Sequence, residues 1–293
     1  MSQPTARASG LWWGFLGVLA FSFTVPLTRV AVAGMSPLFV GSARAVIAAT
    51  LAVAVLAITR QALPNRNQFG RLLVVGAGVV VGFPLFITFA LQYVEASHAA
   101  VVIGLLPAAT AVAAVLRTGE RPSVRFWVFA IVGAAAAVGF ASASQGGFGQ
   151  LEWADLLLFG AVIVTAIGYS EGALVSREIG SWQTISWALV IWSPFMLTLV
   201  LVALAMETPN GTVAEWSAFA YLALVSNFLS FFVWYRGLAI GPISIVSQVQ
   251  LAQPVLSIIW AALLLGEAIS LEVFFGGAVV ILCAALAIRS RAG

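Results

Sequence analysis

The chain has 293 residues, 62% of them hydrophobic and 8% charged, with a mean hydropathy of +1.09; a soluble domain carries about 25% charged residues, so this composition describes an integral membrane protein. All 13 basic residues are arginine, and a net charge of +3 in so apolar a chain marks where loops lie, not an affinity for nucleic acid. The single cysteine, Cys283, excludes an intramolecular disulfide and a cysteine-cluster metal site, and without a Walker lysine or a His-Glu-x-x-His motif neither ATP-driven transport nor zinc hydrolysis is within reach.

Met1 to Gly10 lacks a cleavable-signal pattern, so the first apolar run is expected to insert as an uncleaved helix. In order, about ten apolar segments of roughly 20 residues each can cross a ~30 Å hydrocarbon core at ~1.5 Å per residue. They centre near Phe21, Ala48, Val81, Pro107, Gly133, Thr165, Trp192, Asn227, Pro254 and Val280. None alternates apolar and polar residues as a barrel strand does, which leaves an all-α polytopic membrane protein of ten transmembrane helices. The connections are short, so the bundle itself must carry the function.

On a ten-span topology 11 of the 13 arginines, all but Arg29 and Arg44, fall on one side. Glu95, Glu152, Asp155, Glu207, Glu215, Glu267 and Glu272 fall on the other. The positive-inside tendency then puts both termini in the cytoplasm.

One stretch occurs twice. Ser97, Pro107, Gly119-Glu120 and Ser123 recur as Ser244, Pro254, Gly266-Glu267 and Ser270, each pair one shift apart (244 − 97 = 147). Residues 1–145 and 146–293 therefore read as two five-helix repeats. Five spans per half is an odd number, so the second half enters the membrane from the opposite side and the repeats are inverted. Such repeats enclose a substrate site near mid-depth and exchange between states open to either side.

The two halves of five helices, Ser36-Pro37-Leu38 followed by Ala43-Arg44-Ala45, and a proline then Gly-Glu in the fourth and ninth spans resemble the drug/metabolite transporter superfamily, within its EamA-type exporters. The second-half counterpart of the Ser-Pro pair here is Ser181-Trp182. The many tryptophans and the length look most like the YddG-type amino-acid exporters. The resemblance implies export of aromatic and other amino acids across the bacterial inner membrane by alternating access, with no cofactor, a small-molecule substrate, a lipid bilayer around it and a plausible monomer.

Several residues follow as candidates for the cavity. Pro107 and Pro254 each remove a backbone hydrogen bond at mid-span and are candidate hinges. Arg44 and Glu171 are charges inside spans, which insertion scales charge at least ~2.5–3.5 kcal/mol unless they face the interior. Arg44 reads equally as an anchor for helix carbonyls and as a contact for a substrate carboxylate. Glu171 reads as a gate contact with a nearby arginine such as Arg177. Thr24, Tyr169, Asn227, Gln248, Gln250 and Gln253 are polar groups at depth, and Phe21, Phe83 and Trp234 are aromatics that could wall an amphipathic ligand. Trp12, Trp13, Trp153, Trp182, Trp216 and Trp260 are expected in the interfacial belt or against lipid. His98, beside Glu95, reads first as a loop or capping group. Two alternatives stay open: a lipophilic-cation exporter using Glu171, and a membrane protein with no transport role.

Overall fold

In lipid every backbone N–H must be satisfied within its own segment, so apolar runs of this length form helices. The computed structural model describes residues 3–144 and 153–266, together with 279, 282, 283 and 286, and all regular structure among the described residues is helical. Nine passes lie among them: α1 (Ala8–Gly34), α2 (Pro37–Ile58), α3 (Arg66–Ala90), α4 (Ala96–Ile103 continued by Leu106–Thr118), α5 (Val124–Ser144), α6 (Trp153–Ile179), α7 (Ser181–Met206), α8 (Val213–Ile240) and α9 (Ile243–Leu265). Seven are long and apolar enough by themselves to cross a membrane, while α4 and α5 supply the shorter apolar helices Leu106–Thr118 and Val124–Ala136. Apart from Val279, Leu282, Cys283 and Leu286, the tenth predicted span lies outside the described residues, as do the boundary at 145/146, Glu267 and Ser270.

The starts and stops of the helices repeat with the sequence. Asn65 and Gln68 form a reciprocal capping box at the start of α3, and Thr212 and Glu215, 147 residues later, form the same box at the start of α8. Gly119 ends α4 at φ 70° and Gly266 ends α9 at φ 71°, a left-handed conformation that a side chain would strain. π-Helical stretches occupy Ala77–Gly82 of α3 and Leu222–Leu229 of α8, ending at repeat-related positions. In α3 the stretch runs into Pro84, which has no N–H to give the preceding turn. In α8 Ser230 Oγ donates to the Val225 carbonyl at 2.9 Å and satisfies a group the wider turn frees.

Packing then makes the inversion explicit. α1 lies along α8, α3 along α6, α2 along α7 and α4 along α9. Exchanging each helix for its mate five places on turns the first pair into the second and returns the last two to themselves. The mates run antiparallel: Gln183, at the start of α7, donates to Gln61, just past the end of α2, at 3.3 Å, and Gln248 of α9 donates to the Pro107 carbonyl of α4 at 3.3 Å. A chain that packs against its own repeat in reverse is related to it by a two-fold axis in the membrane plane. Small residues set the closest approaches. A Cβ on Gly78 would stand 2.3 Å from the Val164 carbonyl, so that backbone contact between α3 and α6 admits only glycine. The antiparallel order also gathers Arg60, Arg66, Arg117, Arg121, Arg125, Arg177 and Arg236 near one end of the bundle, hereafter the arginine end.

Candidate functional site

A narrow cavity lies where the two halves meet. Its walls are Phe21 and Thr24 of α1, Arg44 of α2, Val79 and Phe83 of α3, Leu106 of α4, Thr165 and Tyr169 of α6, Ser226, Asn227 and Phe231 of α8, and Gln253 of α9. They leave a cavity of only about 20 Å³, room for about one water, so the walls must part for anything larger. Val79 and Ser226 are repeat mates, and so are Leu106 and Gln253; the cavity therefore sits on the two-fold axis. At those positions the first half contributes apolar groups and the second half polar ones. The π-helical turn of α8 presents Ser226 and Asn227, and that of α3 presents Val79.

Arg44 is the electrostatic centre of this cavity. Its side chain is 1% exposed, and its Nε and Nη1 have no hydrogen-bond partner. Asn227 Nδ2 and Thr165 Oγ1 in the same wall are also buried without partners. A buried polar atom normally has one, so four such atoms around one space form a site built for a ligand or water. Thr24 and Ser226, by contrast, share a hydrogen bond of 2.8 Å across the repeat interface. The apolar side of the wall is aromatic: Phe21 meets Phe231 edge-on at 5.0 Å, and Tyr169 packs on Trp234 at 5.2 Å.

Of the residues singled out from sequence, Phe21, Thr24, Arg44, Phe83, Tyr169, Asn227 and Gln253 come together on this wall. Trp234 is fully buried behind it. Gln250 reaches the wall indirectly, donating to Gln253 Oε1 at 3.4 Å, and Gln248 is turned to backbone, donating to the carbonyls of Pro107 and Ser244. Pro107 begins the second segment of α4 after a break at Gly104–Leu105, and Pro254 follows a tight 3-10 stretch over Ser247–Leu251, so both stand at interruptions of their helices next to the cavity. Phe231, Leu106 and Val79 carry no polar signature and escape a search for polar groups at depth.

Glu171 stands apart from the cavity. Its carboxylate accepts from Arg71 and from Arg117, and Arg71 also reaches Glu178. The expected partner, Arg177, instead donates to the carbonyls of Ala239 and Gly241 in and after α8. The difference has a geometric cause: α6 presents Glu171 to α3 and α4, and Arg177, six residues on, to α8. His98 bonds Asp155 at 2.6 Å, tying the start of α4 to the start of α6.

The ion cluster lies at the mouth of a cleft. Between α3 and α4, floored by α6, is a space of about 570 Å³ lined by Val74, Ala109, Ala113, Leu116, Ile167 and Ser170 among others, with Arg71, Arg117 and Glu171 at its arginine end. Its lining adjoins that of the cavity: Ala166 and Ser170 follow Thr165 and Tyr169 along α6, and Ala109 lies one turn from Leu106 on α4. The repeat-related space between α8 and α9 is filled. Phe23 stacks on Trp260 at 4.3 Å and packs on Tyr221 at 5.7 Å, Trp260 Nε1 donates to Ser22 Oγ at 2.9 Å, and Tyr221 donates to the Ala20 carbonyl at 3.0 Å. Trp260, expected in the interfacial belt or against lipid, is half-buried with one side on α1, because the break of α1 at Ser22–Phe23 gives its ring a partner.

The model of the EamA-like transporter family matches residues 8–142 and again 152–289, once per repeat. The chain belongs to the EamA-like transporter family. Within curated proteins this EamA-like transporter is 44% identical over 284 residues to the uncharacterized transporter YdeK of Bacillus subtilis (strain 168), covering 94% of this chain and 96% of that protein. It is 24% identical over 224 residues to the uncharacterized transporter YetK of the same organism, covering 75% and 68%. A solved crystal structure shares the fold with a TM-score of 0.74 at 21% identity, over 96% of this chain and 98% of its own. The two EamA repeats match the pairs of capping boxes, π-turns and left-handed glycines found in the fold.

Proposed function

We propose that this protein is a secondary transporter that exports small amphipathic metabolites bearing a carboxylate, amino acids with aromatic side chains among them, across the bacterial inner membrane by alternating access. The observation that carries the reading is Arg44, an unpaired guanidinium facing an enclosed, aromatic-walled cavity on the axis between inverted repeats. A carboxylate meets the guanidinium, with a charge-assisted bond worth about 1.5–3 kcal/mol, and an aromatic side chain lies against Phe21, Phe83 and Phe231. The arginine end is cytoplasmic by the positive-inside rule, so the cleft between α3 and α4 is the inner approach and the Phe23–Tyr221–Trp260 cluster the outer seal. Residues 1–145 and 146–293 rock against each other, with the breaks at Pro107 and Pro254 as hinges. A cation exporter needs a free carboxylate at the site, whereas Glu171 is held by two arginines.

Flux of labelled amino acids from proteoliposomes containing the purified chain tests the reading. Tryptophan and phenylalanine are expected to leave faster than from empty vesicles, and Arg44→Gln to abolish the difference. Movement of lipophilic cations alone, or of nothing, would refute it.

A further inference from the structure

We propose that the preferred ligand is a monoanion, a carboxylate joined to an aromatic or branched apolar group without an α-ammonium, and that its export runs down the inside-negative membrane potential. The inference rests on the carrier reading above and narrows its substrate class. The buried wall atoms that lack partners are Arg44 Nε, Arg44 Nη1 and Asn227 Nδ2, all donors, and the hydroxyl of Thr165. The hydroxyls of Thr24 and Ser226 occupy each other, and Gln253 Oε1 accepts from Gln250. No carboxylate lines the cavity among the described residues.

This is a set of donors for anionic oxygen. An ammonium entering with the carboxylate would sit in the same low-dielectric space as a guanidinium with no counter-ion, and the loaded cavity would keep a net charge of +1. A monoanion brings the cavity to neutrality and gives the unpartnered donors of Arg44 and Asn227 an anionic acceptor. The balance of charge also supplies a driving force. Each cycle that returns empty moves one negative charge outward, which an inside-negative potential favours, while a zwitterion moves none. No proton relay is needed, and the ionised group nearest the route, Glu171, is committed to Arg71 and Arg117.

The full chain in proteoliposomes decides this with matched probes: labelled phenyllactate, phenylalanine and phenethylamine, with the potential clamped by potassium and valinomycin. Phenyllactate is expected to leave about five- to tenfold faster than phenylalanine, a modest share of the cost of bringing like charges together in a desolvated site. An interior-negative clamp should accelerate phenyllactate and leave phenylalanine unchanged, and phenethylamine should leave no faster than from empty vesicles. Arg44→Gln should lower phenyllactate flux about ten- to a hundredfold, the loss of a hydrogen bond to a charged group, with Arg44→Lys recovering part of it. Size-exclusion profiles report whether these variants fold, and the three probes on the unaltered chain decide the matter even if they do not. Phenylalanine as fast as phenyllactate, flux of phenyllactate indifferent to the clamp, or phenethylamine leaving faster than from empty vesicles overturns the inference and leaves the carrier reading standing. Immobility of both carboxylates overturns the two together.

Discussion

The two clefts that the repeat makes equivalent differ in what fills them. Between α3 and α4 the positions of Val74 and Ala113 leave open space, and their mates between α8 and α9, Tyr221 and Trp260, fill it together with Phe23. One backbone plan thus carries an open cleft at the arginine end and an aromatic cluster at the other. The backbone repeats; the side chains on the mates decide which cleft is filled.

Transplanting the seal is the strongest way to break this comparison. Val74→Tyr with Ala113→Trp should fill the open cleft and lower transport by about a hundredfold, the scale of a misplaced group in a path that must close and open, measured as flux with the thermal midpoint unchanged or raised. The reverse change, Trp260→Ala, removes the Phe23 stack and the bond to Ser22. It should destabilise the protein by about 2 kcal/mol, less than the ~3–5 of a fully buried tryptophan because Trp260 is only half-buried, and should expose a cysteine placed at Tyr221, in a Cys283→Ser background, to an impermeant maleimide.

Glu171→Gln sharpens the comparison at the mouth of the open cleft. It leaves Arg71 and Arg117 without their shared carboxylate and should cost about 1–2 kcal/mol, below the ~3–5 of a buried pair because Arg117 is half exposed; a thermal-shift measurement checks it, and an unchanged midpoint would mean the cluster does not bridge α3 and α4. Glu120 accepts from the N–H groups of Ile243 and Ser244 at 3.0 Å each, holding the start of α9 to the end of α4. Glu120→Ala should lower stability by about 1 kcal/mol through the lost helix-end contact. The smallest effects test the symmetry itself: Asn65→Ala and Thr212→Ala should each cost about 0.5–1 kcal/mol and match one another in chemical denaturation.

Much of this plan is legible in the residues. The repeat of 147 residues is visible in Pro107 and Pro254 and in the two Gly-Glu pairs, and five apolar runs per half make the inversion a matter of parity. Arg44 stands out because an ionised group inside a span needs a reason to be there. The cavity wall is less legible. Gln248, Gln250 and Gln253 look alike in sequence, yet only Gln253 lines the cavity, since the 3-10 turn over Ser247–Leu251 directs Gln248 to the carbonyls of Pro107 and Ser244 and Gln250 to Gln253 itself. The π-turns of α3 and α8 are equally hidden: one extra residue per turn shifts which side chain points inward without altering the apolar pattern.

Composition, run length and charge placement determined by themselves that the chain is a helical bundle in lipid, that it is built of two inverted halves, and which end carries the arginines, because these follow from the energy of placing apolar and ionised groups in hydrocarbon. Tertiary structure alone decided that Glu171 answers to Arg71 and Arg117 and not Arg177, that Trp260 packs on Phe23, and that Arg44 is left without a partner. Those outcomes depend on which helix faces which, and facing is set by contacts between residues from 54 to 238 positions apart, where local sequence carries no information about distance.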